Sequence, residues 1–136
     1  MTEPRLTLGI GCDRGTSLAT LLEAVDAALQ LAGAQPSQVV GVASITLKAD
    51  EQGLLDLAAA RRWPLQFFPP EVLAGVPVPN PSETVRRHTG TPSVSEAAAL
   101  LAAGPDTPMT ALVVEKLRHR GRDERHATVS IARKTS

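Results

Sequence analysis

Two periods run through the apolar positions of this chain, and each predicts a different element. Leu6, Leu8 and Ile10 alternate with Thr7, Gly9 and Gly11, the period of a strand. Leu18, Leu21, Leu22, Val25, Ala28, Leu29 and Ala32 then recur on one helical face. Gly33 and Pro36 supply the stop signals of that helix. Residues 39–44, VVGVAS, form a nearly continuous apolar run that suits a strand buried on both faces. Strand, helix and strand over this distance predict a βαβ unit with parallel strands.

Residues 45–51, ITLKADE, read as a polar loop, with Asp50 as the expected N-cap of a helix over about 51–61. Residues 65–68 predict a short third strand, and residues 71–73 a brief helical turn. Asn80 as N-cap, Pro81 in the first helical position and Glu83 in the third predict a short helix. Ser93 and Glu96 read as a capping box ahead of the Ala/Leu run 97–103. Residues 112–115 and 128–133 predict two more strands, joined as an antiparallel hairpin. Residues 116–125, KLRHRGRDER, are expected to be its polar, mobile tip. Together these elements predict one α/β domain over 1–136, a three-layer α/β/α sandwich with a mixed, mostly parallel sheet of about five strands.

Composition narrows the function. Hydrophobic residues make up 43% of the chain, enough for a core. Trp63, Phe67 and Phe68 are its only aromatics, so the core is aliphatic and a stacking platform for bases is poorly supported. Lysine plus arginine and aspartate plus glutamate number 14 each, and this balance argues against nucleic acid as a partner. Cys12 is the sole cysteine, which excludes an internal disulfide. No run of about 18 apolar residues occurs, so no membrane partner is expected and a cytoplasmic location is.

The candidate chemistry lies where strands end and helices begin. Gly9, Gly11 and Gly15 miss the spacing of a dinucleotide fingerprint, and Gly15-Thr16-Ser17 lacks the lysine of a phosphate-binding loop. The turn still offers backbone N–H groups at a helix start, where a carboxylate or phosphate is favoured. Cys12 reads as a small packing residue at the strand end rather than a nucleophile. Lys48, Asp50 and Glu51 share one loop at the carboxyl end of the second strand, the edge at which open α/β sheets bind ligands. Asn80-Pro81-Ser82 and Gly90-Thr91-Pro92-Ser93 enter two more helix starts. His88, His119 and His126 lack metal-ligand spacing, no nucleophile elbow is present, and so neither a metal, a cofactor nor a catalytic residue is assigned.

Four motifs in order, GIGCDRGT, ITLKADEQGLL, VPNPSETV and GTPSVSEAAAL, resemble the cobalamin-biosynthesis family of CobE and the C-terminal domain of CbiG. The resemblance runs from Leu6 to Arg133. It implies the same α/β/α sandwich and a role in making the corrin ring. In that family the domain is either fused to CbiG, a cobalt-precorrin 5A hydrolase that opens a ring lactone, or stands alone as CobE in organisms with the aerobic route; this chain is similar to the standalone form. The expected ligand is a carboxylate-rich precorrin or corrinoid intermediate. The alternatives are hydrolysis of a ring lactone, or service as a partner module for another pathway enzyme; the oligomeric state stays open. Family-like positions are Gly9, Gly11, Cys12, Arg14, Gly15, Thr16, Lys48, Asp50, Glu51, Asn80, Ser82, Gly90, Thr91, Ser93, Glu96 and Lys116. All but Gly9 and Glu96 are expected at the ligand site. Asp13 and Thr46 depart from the family pattern, where a basic and an acidic residue respectively are expected.

Overall fold

A computed structural model describes residues 3–134. Its sheet has the order β3-β2-β1-β5-β4, from β1 (Arg5–Cys12), β2 (Val39–Ile45), β3 (Leu65–Phe68), β4 (Leu112–Arg120) and β5 (His126–Lys134). The sheet is mixed, as the pattern predicts: β1, β2 and β3 pair in parallel at one end, and β5 pairs antiparallel with both β1 and β4 at the other.

The alternation along β1 sorts the two outer layers. Leu6, Leu8 and Ile10 face α1 (Leu18–Ala32) and α2 (Gln52–Arg61), and they form one core with Leu21, Val25, Leu29, Leu54, Leu57, Val129 and Ile131. Thr7, Gly9 and Gly11 face α5 (Val94–Ala103). Here glycine serves close packing. A Cβ on Gly9 would overlap the Ser95 carbonyl oxygen and crowd the Ala99 amide. Thr7 Oγ1 donates to the Ala99 carbonyl at 2.8 Å and fixes the same approach. A second apolar cluster, with Ala43, Ile45, Leu73, Val94, Ala97 and Ala98, fills this side. The short helices α3 (Pro70–Ala74) and α4 (Glu83–Thr89) precede α5.

The hairpin differs from expectation. Its strands run on to Arg120 and restart at His126, so residues 121–125 alone form the turn. Alternating charged side chains on an edge strand are compatible with pairing, because one face stays solvated. Among the described residues no helix is long and apolar enough to cross a membrane.

Candidate functional site

The glycine turn after β1 is already filled by the chain's own carboxylates. Gly15 takes φ 75°, the left-handed conformation that favours glycine. Its amide donates to Glu51, at 3.2 Å from Oε2. Ser17 caps α1 by accepting from Thr20 N. The Ser17 amide donates to Asp123 Oδ2 at 2.9 Å, and Thr20 Oγ1 donates to Asp123 Oδ1 at 2.9 Å. The α1 start that the sequence offers to a ligand anion is therefore capped by Asp123 from the hairpin tip. Thr16 is buried and donates to the Asp13 carbonyl at 2.6 Å.

These contacts depress the Asp123 pKa far below the ordinary carboxylate range; the hydrogen bond from Ser17 is the largest cause. A group lowered in the folded state stabilises above its unfolded pKa, about 4, and loses that contribution as pH falls through the folded value. Asp123→Asn should therefore lower the melting temperature at pH 7. The gap to wild type should shrink as pH drops below about 4. A gap independent of pH between 7 and 2 would show that the charge contributes nothing.

The second loop is clamped to this turn. Arg14 Nη1 lies 2.7 Å from Asp50 Oδ1 and 3.0 Å from Glu51 Oε1, and Nη2 donates to the Leu47 carbonyl at 2.6 Å. Asp50 is thus an ion-pair partner and not the expected N-cap; the cap position is Glu51, whose side chain makes no capping bond. The Arg14 hydrogen bond holds the Asp50 carboxyl below its usual pKa. Residues 46–48 of the expected loop form a single 3₁₀ turn. Lys48 is half-buried and has no ion-pair partner among the described residues.

The third and fourth motifs are fastened to each other. Ser82, not Asn80, caps α4, accepting from Val85 N at 3.2 Å. Asn80 instead donates to the fully buried Glu96, from its amide at 3.2 Å and from Nδ2 at 2.6 Å. The capping box predicted for Ser93 and Glu96 is therefore absent: Ser93 makes no capping bond and Glu96 holds the preceding loop. The Thr91 and Ser93 hydroxyls are buried without a hydrogen-bond partner. Gly90, at φ 85°, ends α4.

The four motifs surround one cavity of about 830 Å³. Of the residues expected there, Gly11, Cys12, Arg14, Lys48, Ser82 and Lys116 line it. Gly15, Thr16, Asp50, Glu51, Asn80, Gly90, Thr91 and Ser93 do not; they build the turns behind it. The lining also includes an apolar set, Ile45, Leu47, Val85 and Val94, and polar side chains that the sequence reading missed, among them Ser95, Arg118, His126 and Thr128. Arg118 was legible in principle: two residues beyond Lys116 on a strand, it shares that residue's face. Lys116 Nζ donates to the Asn80 carbonyl at 3.3 Å, while Arg118 has no ion-pair partner among the described residues. The lining thus carries four basic side chains, Arg14, Lys48, Lys116 and Arg118, against one carboxylate, Asp13.

Cys12 is a thiol in this setting. Burial pushes its pKa up to about 11, against the opposing charge of Lys48. That agrees with its reading as packing. Among the described residues no group of three or more His, Cys, Asp or Glu stands together as a metal site.

A cavity lined by both basic and apolar side chains suits an organic polyanion, and relatives of the chain share one setting. Protein CobE of Sinorhizobium sp is 33% identical over 129 residues, covering 93% of this chain and 79% of that protein. The cobalt-precorrin-5A hydrolase of Priestia megaterium is 37% identical over 102 residues, covering 75% of this chain and 27% of that protein. The chain therefore spans little more than a quarter of that hydrolase. The crystal structure of CobE, a protein from the cobalamin (vitamin B12) biosynthetic pathway, superimposes with a TM-score of 0.77 at 34% identity, covering 98% of this chain and 94% of that one. Residues 6–132 match the family described as the cobalamin synthesis G C-terminus. With the family match, the relatives and the superposition in agreement, the chain belongs to that family, which the CobE proteins share with the C-terminal part of the hydrolases.

Proposed function

We propose that this chain works in cobalamin biosynthesis by binding a carboxylate-rich precorrin or corrinoid intermediate in the cavity between the four motifs. The observation that carries the reading is the composition of the cavity wall. Arg14, Lys48, Lys116 and Arg118 line it together with Ile45, Leu47, Val85 and Val94. A corrin-type ring has an apolar face and a rim of acetate and propionate groups, and so matches both parts. Cationic groups at such a rim favour carboxylates by charge-assisted hydrogen bonding. Lys48 and Arg118 are the best placed of the four, because Arg14 is paired with Asp50 and Glu51 and Lys116 donates to the Asn80 carbonyl. We place the protein in the cytoplasm, where the pathway's other enzymes are its candidate partners.

Burial holds the Cys12 thiol protonated, so a cysteine nucleophile at neutral pH is no part of the lactone-opening alternative.

The test is titration of purified protein with precorrin intermediates, followed by the tetrapyrrole visible spectrum and by calorimetry. One charge-assisted contact contributes about 1.5–3 kcal/mol. Lys48→Ala should therefore weaken binding by about tenfold or more. Arg120→Ala is the control: its guanidinium pairs with Glu124 at 3.2 Å, away from the cavity, and its loss should alter little beyond salt dependence. If wild type gives no signal with any intermediate, the binding reading fails and the partner-module reading replaces it.

A further inference from the structure

Asp13 and His126 form a pair at the cavity wall that carboxylate binding does not use. The His126 amide donates to Asp13 Oδ2 at 2.7 Å, and ring Nδ1 lies 3.2 Å from the same oxygen. The Asp13 amide donates back to the His126 carbonyl at 3.0 Å. Three contacts thus join the end of β1 to the start of β5, and the one at Nδ1 orients the imidazole. Burial works against the Asp13 carboxylate, but the His126 hydrogen bonds and the charges of His126 and Lys48 outweigh it, and its pKa is lowered. An ionised Asp13 only accepts, so in the neutral ring the proton sits on Nδ1 and Nε2 carries the lone pair. No described residue bonds Nε2, and both residues line the cavity.

A carboxylate behind one ring nitrogen is the arrangement that orients a metal-binding histidine and strengthens it as a donor. A lone imidazole does not hold a free ion, and no described cluster assists it. A metal already chelated in the plane of a tetrapyrrole needs only an axial ligand, which one histidine supplies.

We propose that His126, oriented by Asp13, is an axial nitrogen donor to the metal of a metal-bearing tetrapyrrole, so that the cavity prefers metallated to metal-free rings. This rests on the reading that the cavity takes a tetrapyrrole. His88 also lines the cavity, but no carboxylate orients its ring.

Two probes test it: cobalt(II) cobyrinic acid, whose side-chain carboxylates are free, and its metal-free counterpart. With the cobalt ring, the electron paramagnetic resonance spectrum of the wild-type complex should show splitting by one axial nitrogen. Absorption titration should give about tenfold tighter binding of the cobalt ring than of the metal-free ring. His126→Ala should lose both the splitting and the preference, binding the two rings about equally. Asp13→Asn should reduce the preference. His119→Ala, whose ring pairs with Glu23 outside the cavity, should behave as wild type. Equal binding of both rings without splitting overturns the inference and leaves tetrapyrrole binding intact; so does splitting that survives His126→Ala. Binding of neither ring overturns both readings.

Discussion

Gly9→Ala should abolish the native fold or cost it most of its stability. The added methyl would collide with backbone, the Ser95 carbonyl oxygen and the Ala99 amide, and not with a side chain that can turn aside. Relief requires α5 to lift from β1. That would break the Thr7–Ala99 hydrogen bond and open the cluster around Ala97 and Ala98. Overpacking costs about 1–3 kcal/mol where side chains can yield. Here they cannot, so a loss above about 3 kcal/mol is expected, a large share of the 5–15 kcal/mol typical of a domain. Gly11→Ala is the matched control, since its Cβ would meet Val94 Cβ at an ordinary 3.6 Å. Denaturant melts of the two variants give the comparison. Similar midpoints would show that α5 is not held against β1 as closely as described.

Glu96→Ala should loosen the cavity wall while leaving the sheet intact. The Glu96 side chain receives two hydrogen bonds from Asn80, and through Asn80 it holds the segment that leads into α4. Asn80 is exposed and its Nδ2 also donates to Glu115, so the cost is that of the two bonds, about 1–3 kcal/mol in all. Because Ser82, Thr84, Val85, His88 and Thr89 line the cavity from that segment, tetrapyrrole affinity should fall with stability. Hydrogen exchange should show protection lost over residues 80–90 and retained in β1 and β5. A double-mutant cycle with Asn80→Ala should be non-additive, since both changes remove the bond from Asn80 Nδ2 to Glu96. Additive effects, or unchanged protection over 80–90, would separate Glu96 from the wall.

The framework was legible because its signals are local or periodic. Alternation at Leu6, Leu8 and Ile10, the helical face from Leu18 to Ala32, and the apolar run at 39–44 all lie in the elements predicted for them. Burial of one face demands these periods whatever the rest of the chain does. The candidate site was legible as four motifs, because each sits where a strand ends or a helix begins. Individual lining residues were less so. Arg118 was missed because the charged run 116–125 read as a loop, and strand pairing extended β4 to Arg120; His126 was missed because β5 starts two residues before the strand expected at 128.

The sequence by itself determined the layers, the sheet's parallel end and the family. Only the tertiary structure decided which carboxylate meets which donor. Asp50, Asn80 and Ser93 each stood in a cap position with a sound local reason. Asp50 went to Arg14, Asn80 to Glu96, and Ser93 was left uncapped when Glu96 turned to Asn80. The start of α1, open in the sequence to a ligand anion, was closed by Asp123 from 106 positions away. The physical reason is reach. A capping bond joins neighbours in sequence, so spacing reveals it. Packing brings other partners within hydrogen-bond distance from 16, 36 and 106 positions away. Sequence spacing reveals the local choice, and the fold supplies the distant one.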